Sequence, residues 1–222
     1  MIVSNHNVAI GRNIEATILS SWDNGFRCRD RQGQAILDDW LEQLTTQAPD
    51  GLDFNVTVLS GPTVNAYALP GGRIIISRGL LRAARYEEEV IGVLAHEVAH
   101  VLHRHGMEAM AQNAGLSILT SLFGASWFGT GDGLVALGEL SYSRAAEEEA
   151  NRTAVELLRA AGLPDTGLAS FLTRPMVHQT SGGAWAILSI HPNPADRIGL
   201  LPRRTAPVPF VAPVPDELKR MR

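Results

Sequence analysis

The chain has a single cysteine, Cys28, so an intrachain disulfide is excluded and a cysteine-rich structural metal site cannot form. Cys28 lies between Arg27 and Arg29, which favours thiolate, but no histidine can be assigned to it and it reads as an incidental thiol. Long apolar runs are also missing. A membrane-crossing helix needs ~20 such residues. The best candidate, Ala114 to Phe128, is broken by serines and a threonine and stops at Gly129-Thr130-Gly131-Asp132-Gly133. Met1 to Ser20 carries Asn5, Asn7, Arg12, Asn13 and Glu15 and has no apolar core of a secretory signal. The expectation is a soluble chain, either cytoplasmic or the catalytic domain of a membrane-associated protein. Positive charge is scarce as well. Nineteen Lys and Arg face 23 Asp and Glu, a net charge of −4, and no basic stripe advertises nucleic acid.

What is present suits one domain. The 222 residues are 45% hydrophobic and 19% charged, enough to bury a real core. Helical spacing marks Ile10 to Leu19, and Gln32 to Leu44 through Ile36, Leu37, Trp40, Leu41 and Leu44. Strand signals cover Phe54 to Leu59, Asn65 to Leu69 and Arg73 to Ser77, with Pro70-Gly71-Gly72 as the turn between the last two. One long helix is predicted from Glu87 to about Asn113, apolar on so many sides that it belongs at the centre. Its opening run, Glu87-Glu88-Glu89, reads as a solvated face. Ala114 to Leu140 is apolar and glycine-rich, either two ordinary core helices or a lid or membrane-facing patch. Arg144 to Ala161 is a further helix, ended by Gly162 and Pro164. Pro164 to Gln179 is helical around Leu168, Phe171 and Leu172, and Asn193 to Leu201 forms a short last helix. Residues 1–201 form a single domain of α+β class, mostly helical with a small three-stranded sheet. Residues 202–222, with Pro202, Pro207, Pro209, Pro213 and Pro215, read as an extended tail on the surface or a linker.

The chemistry concentrates in His96-Glu97-Val98-Ala99-His100. On a helix, positions four apart share a face, so His96 and His100 can present both imidazoles to one ion. Glu97 flanks the ion and can take a proton from a water that the ion activates. Zinc suits these donors, and a catalytic zinc keeps one position open for water. Leu94, Ala95, Val98, Ala99, Val101 and Leu102 make the surroundings apolar, and buried polar groups there need partners. A third protein ligand is expected. Glu147 is assigned to it, sharing a helix face with Asn151 across the small Ala150. Glu149 is the fallback. His103 and His105 read as outer or surface groups, since the ligand set is complete without them.

These residues, with others, resemble the HtpX-like and CAAX-prenyl-protease-like zinc metallopeptidases, a gluzincin family. Asn65-Ala66-Tyr67-Ala68-Leu69-Pro70-Gly71-Gly72 resembles that family's strand and turn, followed by Ser77-Arg78-Gly79-Leu80-Leu81. Arg104-His105-Gly106 follows the metal motif. Tyr142-Ser143-Arg144 with Glu147, Ala150 and Asn151 resembles its later helix, and His191-Pro192 with Arg197-Ile198 its late segment. The likeness spans roughly residues 30 to 201 in order. It implies a zincin-like fold and zinc endopeptidase activity with Glu97 as base. It implies an edge strand at Val64 to Leu69, whose Asn65, Ala66 and Tyr67 align an extended substrate. It also implies that His191 lies near the metal, there to stabilise an oxyanion or to fill the open position, with Arg197 orienting it. The family has Asp where this chain has Asn151, a group that orients a zinc-binding histidine. Weaker zinc binding or slower turnover is the expected result.

Three functions are therefore in competition. The first is a zinc endopeptidase acting on extended or unfolded polypeptide, held off at rest by His191. The second is a metal-stabilised, chaperone-like module that binds polypeptide and hydrolyses little. The third, a structural zinc protein, fits poorly with one cysteine.

Overall fold

The computed structural model describes residues 5–21, 27–109, 142–173, 191, 199, 201–202 and 212–221. Two helices come first, α1 at Asn5–Ser21 and α2 at Arg31–Thr45. Asp30 caps α2 by accepting the Gly33 N–H at 2.8 Å, which satisfies one of the helix's open donors. Leu37, Trp40, Leu41 and Leu44 form its buried stripe.

Three strands follow: β1 at Asn55–Leu59, β2 at Ala66–Ala68 and β3 at Arg73–Ser77. Their order is β1-β3-β2, with β3 parallel to β1 and antiparallel to β2. A 3₁₀ turn, Pro70–Gly72, joins β2 to β3. Gly71 and Gly72 hold φ of 77° and 107° there, values that only glycine adopts cheaply. Strand alternation then sorts the apolar residues. Val56, Val58, Ala66, Ala68, Ile74 and Ile76 join the main core under α2 and the later helices. Leu59, Leu69 and Ile75 face the other way, onto Ile10, Ile14 and Ile18 of α1. On that second face Thr57 donates its hydroxyl to Glu15 of α1 at 2.5 Å.

Helix α3, Arg78–Ala83, is capped by Ser77, whose hydroxyl accepts the Leu80 N–H. Helix α4, Glu87–Leu102, runs through the centre, buried from Glu88 to Val101. Helix α5, Arg144–Ala160, lays Glu147, Ala150, Asn151, Ala154 and Leu158 against it. Helix α6, Gly167–Leu172, crosses α4 in near backbone contact. A Cβ on Gly92 would meet Leu168 N at 2.5 Å, and one on Gly167 would meet the Glu88 carbonyl at 1.8 Å. Helix α7 is Asp216–Arg220.

Four expectations need correction. The central helix does not run on to Asn113. It ends at Leu102, Arg104 takes a φ of 59°, and residues 105–109 form a separate helical segment. No glycine or proline marks that reversal, so the periodicity gives no warning. The run Glu87-Glu88-Glu89 is not a solvated face, since Glu88 and Glu89 are buried. Glu89 accepts the Arg85 N–H at 2.8 Å and the Ser170 hydroxyl at 3.1 Å. The end of the tail is not a surface linker. Val214, Leu218 and Met221 are buried in the main core, each large side chain contributing about 1.5–3 kcal/mol. Pro213 bridges to Tyr86, and Met221 lies against Gly33 of α2. Finally, the arginines beside Cys28 do not favour thiolate, because burial pushes its thiol pKa up.

Candidate metal centre

Helix α4 supplies three side chains one turn from its C-terminal end. His96 and His100 face one direction at i and i+4, and their Nε2 atoms approach to 3.0 Å. Both rings are buried, and so is Glu97 between them. Helix α5 brings the fourth group. Ser143 caps it by accepting the Ala146 N–H, which fixes Glu147 in the first turn, pointed at α4. Glu147 Oε2 lies 3.5 Å from His96 Nε2 and its Oε1 3.7 Å from His100 Nε2. Ala150 and Ala154 allow the two helices this close approach.

His191 completes the group. Its Nδ1 stands 2.7 Å from Glu147 Oε1 and 3.3 Å from His96 Nε2, while its Nε2 lies 3.5 Å from Glu97 Oε1. One donor atom from each of His96, His100, Glu147 and His191 lies within 4.8 Å of all the others. Burial lowers the His191 pKa, against the opposing pull of Glu97, so the ring is held neutral with a lone pair to offer.

These residues fit a zinc ion. With bonds of ~2.0–2.1 Å in a tetrahedron, neighbouring donors sit ~3.3 Å apart. The separations here, from 2.7 to 3.7 Å, bracket that value. Nitrogen and carboxylate oxygen are also the donors zinc prefers. Protons alone serve the arrangement poorly, since each bridges only one pair of atoms while several ring nitrogens and a carboxylate converge on one point.

The surroundings hold Tyr142, and His105, which reads in sequence as an outer or surface group and which the structure places on the outer side of His100. Tyr142 stacks on His100, centroids 4.0 Å apart and planes at 23°. Its phenol pKa is raised by burial first and by Glu97 second, so it stays neutral. His105 places Nδ1 3.0 Å from His100 Nδ1 and Nε2 3.2 Å from Glu149 Oε2. The left-handed Arg104 turns it back onto its own helix. The motif Tyr142-Ser143-Arg144 was visible in the sequence, but no signal there pointed His105 inward.

The remaining candidates divide. Asn151 is buried one turn from Glu147, and neither end of its amide has a hydrogen-bond partner among the described residues. Asn65 turns its side chain inward, where Oδ1 accepts the Ala66 N–H at 2.9 Å. Its N–H donates to the Ser77 hydroxyl, and its carbonyl accepts the Ser77 N–H. Ala66 is buried and Tyr67 half-buried. The Tyr67 phenol pKa is raised by burial, against a hydrogen bond with Asn65 and with a smaller upward push from Glu97, and β2 packs against α4. Arg197 and residues 114–140 lie outside the described residues. No described helix is long and apolar enough to cross a membrane.

Comparison with known proteins gives one family. The model described as Peptidase family M48 matches residues 28–205. The chain is 31% identical over 189 residues to a protein of Arabidopsis thaliana named mitochondrial metalloendopeptidase OMA1, covering 77% of this chain and 37% of that protein. It is 30% identical over 178 residues to the putative beta-barrel assembly-enhancing protease of Vibrio cholerae, covering 73% and 37%. It is 33% identical over 153 residues to the OMA1 metalloendopeptidase of Schizosaccharomyces pombe, covering 66% and 45%. The chain thus spans less than half the length of these curated relatives.

Proposed function

The chain belongs to peptidase family M48, and from that premise we propose that it is a zinc-dependent endopeptidase for extended or unfolded polypeptide. The convergence of His96, His100 and Glu147 donor atoms on one point, with Glu97 beside them, carries this reading. These three side chains would hold the ion. Zinc, when bound, supplies a Lewis acid that polarises the scissile carbonyl and acidifies the attacking water. Glu97 takes the proton from that water and returns it to the leaving amine. Its burial keeps bulk water from competing for the carboxylate.

The substrate is aligned along β2, the outer strand of the described sheet. Asn65 and Leu69 bond backbone to backbone with β3. In an antiparallel ladder such positions alternate, so Ala66 and Ala68 turn their backbone groups outward. The Ala66 N–H is already taken by Asn65 Oδ1. This leaves the Ala66 carbonyl and the Ala68 N–H to meet an added strand, with Asn65 as the brace and Tyr67 beside it, while the Ala68 carbonyl lies against Gly106. Main-chain binding of this kind selects extended conformation over sequence.

At rest the enzyme is latent. His191 Nδ1 sits among the donor atoms themselves, 3.3 Å from His96 Nε2, and so fills the position a catalytic zinc keeps open. In this reading Arg197, which lies outside the described residues, orients His191.

Metal content by mass spectrometry and casein cleavage with and without chelator test the proposal. About one tightly held zinc per chain is expected, and cleavage should vanish with chelator and in Glu97→Gln. His191→Ala should raise the basal rate. Zinc with no cleavage in either the wild type or His191→Ala would favour a polypeptide-binding module. No zinc after reconstitution would overturn the central reading.

A further inference from the structure

A second group of metal-type donors lies just outside the first. His103 Nδ1 is 3.4 Å from Glu149 Oε1, and His105 Nε2 is 3.2 Å from Glu149 Oε2. The three donor atoms lie within 4.8 Å of one another. The two imidazole–carboxylate separations, each to a different oxygen of Glu149, lie near the ~3.3 Å between donors of a tetrahedral zinc site. The rings are already oriented for the task. His103 and His105 are stacked with planes at 17°. His103 Nε2 is engaged with the Thr153 hydroxyl at 2.8 Å, an outer partner of the kind that fixes a ligating imidazole. His105 is buried, whereas the Glu149 side chain is 46% exposed, so the site has a wall and a mouth.

We propose that His103, His105 and Glu149 form an outer site for a divalent cation of the zinc class, and that filling it weakens the inner site through His105. The coupling rests on the reading of His100 as an inner ligand. A His100 that binds through Nε2 carries its proton on Nδ1. That N–H points at His105 Nδ1, 3.0 Å away, so His105 must accept there and keep its own proton on Nε2, toward Glu149. The result is a chain from Glu149 through His105 to His100, which orients the inner ligand. It supplies from the α5 side a carboxylate that Asn151 does not bring. A cation on His105 Nε2 displaces the proton held there. If the ring keeps one proton, it moves to Nδ1 and faces the His100 N–H, donor against donor. If the ring gives the proton up to solvent, an imidazolate must form. Either outcome disfavours filling both sites, and the penalty acts equally on each. The outer cation is then a brake that works at high metal concentration.

The test uses the metal-free full chain and Zn²⁺ alone, with bound metal counted after equilibrium dialysis over a range of free zinc. The wild type should bind two equivalents, the second at least about tenfold more weakly, as expected for an altered outer partner. His103→Ala and Glu149→Ala should each bind one. Glu147→Gln should retain an equivalent that disappears when His103→Ala is added. The inner zinc should also pass to a competing chelator about tenfold faster with two equivalents bound than with one. A wild type that saturates at one equivalent, or a second equivalent surviving in both outer variants, overturns the site. Equal transfer rates overturn the coupling. A count that Glu147→Gln leaves unchanged would instead count against the inner site, and is read separately.

Discussion

Two runs of three glutamates lie near the starts of two neighbouring helices, and they serve different ends. Glu87-Glu88-Glu89 opens α4, whereas α5 begins at Arg144 and only Glu147 of Glu147-Glu148-Glu149 falls in its first turn. The helix dipole favours negative charge in a first turn, and each run buries at least one carboxylate. The partners differ. Glu89 accepts a backbone N–H from Arg85 and a hydroxyl from Ser170, groups that carry their own fixed hydrogens. Such a carboxylate is a strut tying α4 to α6. Glu147 faces His96, His100 and His191, whose ring nitrogens can each present a lone pair. A buried carboxylate among lone pairs needs a cation, whereas one among N–H and O–H donors does not. The residue type is the same and both carboxylates lie in a first turn, and the hydrogens on the neighbours decide the role.

The largest effect expected from this contrast is loss of metal. Glu147→Gln removes a proposed ligand, so zinc affinity should fall by more than the roughly 10–100-fold typical of outer partners. Glu89→Gln should leave zinc affinity unchanged. Calorimetric zinc titration of both variants compares them directly. A shared loss, or an unaffected Glu147→Gln, would break the contrast.

Asn151→Asp sharpens the contrast by adding a carboxylate to α5 one turn past Glu147. The amide of Asn151 is buried without a hydrogen-bond partner among the described residues. A carboxylate there should tighten zinc binding and raise turnover by roughly 10-fold or more, the size of other outer-partner effects. Chelator competition reads the affinity and casein cleavage the rate. A variant that binds zinc no better than the wild type would deny Asn151 any part in orienting a ligand.

The two runs also mark what could be read in the sequence. His96 and His100 were legible because a helix forces positions four apart onto one face, a local rule. Strand β3 was legible with both its bounds, since Ile74-Ile75-Ile76 is bounded by glycines and the Ser77 cap. The role of Glu89 was not legible, because Ser170 lies 81 residues away and no local rule connects them. Arg104 hid the break in α4, since a left-handed arginine has no signature, and with it the inward turn of His105. Val214, Leu218 and Met221 have helical spacing, but the prolines around them suggested an extended chain. In each of these cases a tertiary partner outweighed the local pattern.

Glu89→Gln should show the strut directly. Replacing the carboxylate with an amide leaves its oxygen to the Arg85 N–H and forces the Ser170 hydroxyl to turn from donor to acceptor, so two charge-assisted bonds become neutral ones. The cost is about 1–2 kcal/mol, read as a lower urea midpoint at constant slope. Ser170→Ala should lose less, because it removes one donor and leaves the other bond to Glu89 in place. If Glu89→Gln matched wild-type stability, the carboxylate would not be a strut, and its burial would need another explanation.

The smallest effects should come from the half-buried members, Glu87 and Glu148. Here the two runs ought to differ only slightly, because Glu87 opens α4 while Glu148 lies past the first turn of α5, where the dipole fades. Glu87→Gln should cost about 0.3–1 kcal/mol at low ionic strength, and less in high salt as the dipole is screened, and Glu148→Gln should cost less than Glu87→Gln. Neither should change zinc binding, although Glu148 sits directly beside Glu147. Urea melts at two salt concentrations, with a zinc titration of each variant, measure both quantities. A shift in zinc affinity for Glu148→Gln alone would mean that net charge on α5, and not the aim of one carboxylate, holds the ion. That result would replace the distinction drawn from neighbouring hydrogens with a simpler electrostatic one.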